Sequence, residues 1–405
     1  MKRESETRRN RRSVRSTSAI GSACALALLA SQLAPPVYAG AYEQARRIYS
    51  RLDGVPPSTA VLNTMANDIS SGGQAGLLQA AAVATDPVTG PNFYNVILKE
   101  FINPWTNRNQ SAFVPFNDYT ATVIGMIRDD VPFNTVLSAD ILYTVNASGL
   151  PAPSPSNNDH YATAEANGVN FASALTANTQ SSVYGTPTQG TAGVWTTRAG
   201  AAAFFVLGTN RAQFRFTMLN YLCHDMQTVM DNTRPTDRIR QDVARSPGGD
   251  SRVFLNNCAG CHSGMDPMAQ AFAYYDFSTT TNQLVYTPGQ VQPKYLKNSL
   301  NFPWGFVTPD DTWSNRWRSG PNADLGWSQS LPGSGEGARA LGTELENTTA
   351  FANCQVVKVF QQVCLRAPVS QADQTTVSDI QAIFTQSNYD LKKVFQYSAA
   401  ACAGS

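Results

Sequence analysis

Cys258-Ala259-Gly260-Cys261-His262, running on into Ser263-Gly264-Met265-Asp266-Pro267, is the stretch that decides what the rest of the chain folds around. Two thiols three positions apart, with an imidazole directly after them, are what covalent haem attachment requires. Each thiol adds to one vinyl group of the porphyrin, and the histidine is placed under the iron. The chain has only seven cysteines and three histidines in 405 residues, which makes such a pentapeptide a roughly one-in-a-thousand accident. The expected cofactor is therefore one covalently held haem c, bound through Cys258, Cys261 and His262, with His262 on the metal. A structural zinc site needs a fourth ligand at related spacing, and the spare cysteines are distant in sequence.

Asp266-Pro267 has the form of a helix start, with Asp266 as N-cap and Pro267 at the first helical position. That assigns Asp266 a structural role. Met265 and Met268 stand too near to reach the far side of the iron, because three residues span at most about 11 Å. The candidates for a sixth iron ligand are His160, Met218, His224, Met226 and Met230, or no protein group at all. A Met/His pair favours electron transfer, whereas an open position admits peroxide or other ligands. Arg238, Arg240, Arg245 and Arg252 precede the pentapeptide and are candidate partners for haem propionates. The competing reading is a solvated loop balanced by Asp237, Asp242 and Asp250.

Far upstream, residues 1–39 have the order of an export signal: a basic start, an apolar stretch from Ala19 to Ala34, and the small-residue stop Val37-Tyr38-Ala39. The apolar run is interrupted by Gly21, Ser22, Ser31 and Gln32 and is too short to span a bilayer. The expectation is a periplasmic or otherwise exported protein with no transmembrane anchor once the signal is removed. Removal also changes the charge. Seven of 30 basic and two of 29 acidic residues fall in that segment, leaving 23 basic against 27 acidic, so nothing draws the mature chain to nucleic acid. Cys24 leaves with the signal. Four cysteines outside the pentapeptide remain, Cys223, Cys354, Cys364 and Cys402, and in an oxidising compartment they imply two disulfides with three possible pairings. The helical pattern around Ala350 to Leu365 sets Cys354 and Cys364 ~15 Å apart, beyond the reach of a disulfide. The favoured pairs are Cys364 with Cys402 and Cys223 with Cys354.

Apolar periodicity sets the class as mainly α: a helical N-terminal region, then a cytochrome-like haem region with long irregular aromatic loops. The boundaries expected are 40–150 for the helical region, 151–235 for a linker-rich middle ending in a helix, 236–290 for the haem-binding segment, and 291–405 for a Trp-rich loop and the C-terminal helices. Ser58 is placed to cap a helix carrying Leu62, Met65 and Ile69, which Gly72-Gly73 should end; further helices are expected near Asp118–Arg128, over Thr209–Asp231 and from Asp390. Trp304, Trp313, Trp317 and Trp327 are expected to pin the loop as aromatic anchors.

The pentapeptide followed by Asp266-Pro267 and by Tyr275-Asp276 resembles a family of exported bacterial proteins, found in planctomycetes and proteobacteria, that set a cytochrome-like segment among domains of unknown function. Further similarity lies in Val131-Pro132-Phe133, Asp159-His160-Tyr161, Ala192-Gly193-Val194-Trp195 and Phe351-Ala352-Asn353-Cys354. A Gly and a Glu usual after Asp-Pro are Ala269 and Ala273 here. The resemblance implies haem binding and names no substrate. The leading expectation is single-electron transfer between redox partner proteins. The alternatives are a haem-containing oxidoreductase with a substrate site in the loop around Trp304 to Trp327, and a surface-binding or assembly module. With three histidines and no acid/base constellation in the sequence, no catalytic residue is assigned.

Overall fold

The computed structural model describes residues 39–296 and 303–404. The expected signal segment, apart from Ala39, and Cys24 lie outside the described residues. The fold is mainly α, with only short strands. Helix α1 (Ala41–Asp53) ends at Gly54, whose positive φ of 79° turns the chain while its N–H bonds the Ser50 carbonyl. Pro56-Pro57 then lead to Ser58, which accepts from Val61 N and starts α2 (Thr59–Ala84). Gly72-Gly73 does not end this helix as the sequence led us to expect. Gly73 takes φ 55° and kinks it, and the alanine-rich stretch beyond restores the helix to Ala84.

Helix α3 (Asp118–Arg128), capped by Asn117, is buried along nearly its whole length. Asp118 is itself buried and accepts from Arg198 N and Ala199 N, so it also caps the helical segment Arg198–Phe204. Strands β1 (Leu142–Val145) and β2 (Leu175–Asn178) form an antiparallel ribbon in which Leu142 faces Asn178.

Helix α4 (Arg211–Tyr221) is shorter than the sequence pattern predicts. Two residues past its end, Cys223 takes a left-handed backbone (φ 59°) and is joined to Cys354 in a disulfide. A π-turn over Phe254–Cys258 leads into α5 (Ala259–Ala269). Two more antiparallel ribbons follow: β3 (Tyr275–Ser278) with β4 (Gln283–Tyr286), and β5 (Thr312–Ser314) with β6 (Ser334–Glu336).

Trp313, Trp317 and Trp327 are buried and anchor the irregular segment, whereas Trp304 is 76 % exposed and anchors nothing. Trp317 packs on α5 so tightly that a Cβ on Gly264 would fall 1.9 Å from its Nε1. The Trp-rich segment is thereby seated directly on the helix that carries the pentapeptide.

Helices α6 (Gly337–Glu346), α7 (Thr349–Cys364), α8 (Gln371–Gln386) and α9 (Leu391–Ala401) close the chain, the last three capped by Thr348, Ser370 and Asp390. A disulfide joins Cys364 to Cys402, 5.6 Å apart at Cα. The two ends of the described chain meet: Arg47 and Arg51 on α1 donate to the carbonyls of Ala403 and Cys402. One apolar cluster runs from Ala45 to Ala403, and a small second one holds Ile239, Phe254 and Ala259. No helix among the described residues is long and apolar enough to cross a membrane.

Candidate functional site

Positions 258, 261, 262 and 265 follow helical spacing, which brings side chains one turn apart to one face. Cys261, His262 and Met265 line a cavity of about 570 Å³, together with Arg211, Arg215 and Phe216 from α4, Met226 and Arg108. Cys258 is half-buried one turn back, where it packs against Ile239 and Phe254 in the small cluster. The other four described cysteines are paired as 223–354 and 364–402, so Cys258 and Cys261 are the two free thiols among the described residues.

Asp266 is not the helix cap that its sequence context indicates. It lies inside α5 with Pro267, one turn beyond His262 and fully screened from solvent. Its Oδ1 is 3.1 Å from His262 Nδ1, and it also accepts from Arg211 Nε at 2.7 Å, Arg211 Nη2 at 2.7 Å and Arg240 N at 3.1 Å. Burial alone would raise the pKa of this carboxyl. Arg240 and Arg211, with the hydrogen bonds from Arg211 and His262, hold it well below the usual carboxylate range. An ionised carboxylate can only accept, which places a proton on Nδ1, so that in the neutral ring Nε2 is the nitrogen left to bind. Nε2 has no hydrogen-bond partner among the described residues. Arg211 also forks onto Asp242, so Asp242, Arg211, Asp266 and His262 form one connected chain.

Burial raises the Cys261 thiol pKa, and Asp225 and Cys258 add to the shift. A reactive dithiol requires the opposite shift. Among the described residues no group of three or more His, Cys, Asp and Glu side chains is set to hold a metal ion, so a protein-only zinc site lacks its donors. A porphyrin needs less from the protein: thiols, one bare imidazole nitrogen, apolar walls and cations for its propionates. Cys261, His262 and the apolar walls meet that list at the cavity, Cys258 stands one turn back outside its lining, and Arg108 is the lining arginine with no carboxylate partner among the described residues. Cys258 and Cys261 would hold the group covalently and His262 Nε2 would meet its iron.

The arginines at this cavity are not those the sequence singles out. Arg238 stacks over Phe306, Arg245 over Phe254, and Arg252 pairs with Asp250 in solvent. Arg240 is buried against Asp266, its Nε and Nη1 without a hydrogen-bond partner. Arg108, Arg211 and Arg215 line the cavity instead. Arg211 and Arg215 are one turn apart on α4, a spacing legible in advance; nothing in the sequence marks Arg108.

The sixth-ligand candidates separate cleanly. His160 is buried with Nδ1 2.7 Å from the Pro151 carbonyl and Nε2 accepting from Val145 N, so both nitrogens are taken. Met218 is core. His224 is partly exposed with Thr228 as its neighbour, and Met230 is 41 % exposed beside Gly260. Met226 alone of the five lines the cavity with His262. Comparison of the chain with family models, with curated proteins and with solved structures finds no match.

Proposed function

We propose that this chain is an exported mono-haem c-type cytochrome that passes single electrons between redox partner proteins. The observation that carries the reading is the free pair Cys258, at the cap of α5, and Cys261, inside it beside His262, whose Nδ1 is held by buried Asp266 and whose Nε2 has no hydrogen-bond partner among the described residues. The likeness of the pentapeptide, Asp266-Pro267 and Tyr275-Asp276 to the exported bacterial cytochrome-like family supports it. So do the two disulfides, which belong to an oxidising compartment.

When bound, haem supplies the one-electron chemistry. The chain's own part is positional. Asp266 keeps the proton on Nδ1 of His262 and fixes the ring. Arg211 and Arg240 compensate the buried carboxylate. Phe216, Met226 and Met265 give the cavity apolar walls, and Arg108 brings positive charge to it, while Arg215 is already forked onto Asp225.

The test is the mature protein expressed in a host that attaches haem c, run on a denaturing gel and stained for haem. The wild-type band should carry haem, and Cys258→Ala should impair two-point attachment. A colourless wild-type band would sink the reading. A second reading, a haem oxidoreductase with its substrate near the Trp-rich segment, is favoured by a separate cavity beside Trp313. A reduced-minus-oxidised spectrum decides between the two: a low-spin α-band supports electron transfer, and a high-spin spectrum with fast cyanide binding supports the oxidoreductase.

A further inference from the structure

The cavity beside Trp313 has a volume of about 540 Å³ and shares no lining residue with the one at His262. This is within the range of small-molecule sites. Its floor is apolar, made by Trp313, Leu331, Pro332 and Ala340. Gly335 packs against two of the lining residues: a Cβ there would fall 3.1 Å from both Ala340 Cβ and Trp313 Cζ2, and its backbone lies outside the left-handed region that would require glycine for conformational reasons.

Two donors at this cavity have no protein acceptor among the described residues, one of them on half-buried Arg339. Arg339 Nε bonds the Thr191 carbonyl, and its Nη2 bonds the Thr188 carbonyl and the Thr191 hydroxyl. All three acceptors are uncharged, Nη1 has none, and no carboxylate pairs with this guanidinium among the described residues. Trp313 is 4 % exposed, and its indole N–H has no partner. The two acids in the lining do not fill the role. Glu344 is held by Arg318 and Asn315, each at 2.8 Å, and Glu336 is exposed, where water screens it.

A guanidinium without a carboxylate partner beside an apolar lining suits an acceptor group on an apolar body, and a guanidinium selects a carboxylate among acceptors. We infer that this cavity binds a small amphipathic carboxylate, its apolar part on Trp313, Leu331 and Pro332 and its carboxylate on Arg339. The inference is independent of the haem reading, since none of these residues belongs to the haem site.

The experiment is isothermal titration of the purified mature protein with octanoate, 1-octanol and acetate. Octanoate should saturate one site at least tenfold more tightly than either control. Arg339→Gln should weaken octanoate at least tenfold and leave 1-octanol unchanged, and Gly335→Val, by displacing Trp313 and Ala340, should weaken octanoate and 1-octanol alike. Thermal unfolding of each variant checks the fold, and if Gly335→Val does not fold, Arg339→Gln decides alone. No saturable binding, acetate binding as tightly as octanoate, or octanoate affinity unchanged in Arg339→Gln would overturn the inference.

Discussion

Asp266 concentrates most of what individual residues do at the candidate haem site. A carboxylate on Nδ1 makes the imidazole a stronger donor to a metal, and Arg211 and Arg240 temper that charge. In the haem-loaded protein, Asp266→Asn should therefore raise the reduction potential, as read by redox titration. Asp242→Asn removes an equal charge from the same arginine without touching His262, and it should move the potential less. Equal shifts would mean that only the field matters. Glu346 makes a different prediction. Burial raises its pKa from 4.5 to about 8 against the opposing hydrogen bonds from Ser138 Oγ and Leu137 N. A carboxyl with a raised folded pKa binds its proton more tightly when folded, so its contribution is full at low pH and is lost as pH climbs through the folded value. Urea midpoints of the wild type should fall relative to Glu346→Gln between about pH 5 and about pH 8. A parallel pair of curves would contradict the assignment.

Among the elements, α5 and the Trp-rich segment depend on each other at Gly264. A methyl group there would overlap the Trp317 indole, and overpacking of this kind costs about 1–3 kcal/mol. Gly264→Ala should lower the unfolding free energy by that amount in denaturant titration, and an unchanged value would show that the segment shifts freely. The sequence makes several elements legible because their ends are chemically marked. Asn117, Ser58 and Asp390 cap helices where short polar residues precede an apolar period. It misleads where tertiary contacts override a local signal. Asp266-Pro267 has the chemistry of a helix start, yet the charge hub formed with Arg211 and Arg240 holds both residues inside α5. Apolar spacing continues past Tyr221, but the left-handed Cys223 and its disulfide stop α4 there. The thiols and histidine of the site are readable from spacing alone. Arg108 is not, because its place at the cavity comes from bonds to the carbonyls of Ala203 and Val206, about a hundred positions away.

At the scale of the whole molecule, the last helix is what closes the structure. The Cys364–Cys402 bridge spans 38 positions, and removing such a link costs about 2–4 kcal/mol in the chain-entropy account. The double variant Cys364→Ala, Cys402→Ala should lose stability in that range by denaturant titration, and a loss near zero would place α9 under the control of its apolar face alone. The seal between the chain ends reaches further. Arg47 and Arg51 find their acceptors 356 and 351 positions downstream. The acceptors of these two arginines thus arrive only with the last turn of the described chain, although α1 already packs on α2, and contacts so distant along the chain are slow to form. If haem is attached as proposed, an attachment enzyme would reach Cys258 and Cys261 most readily in the interval before that seam closes.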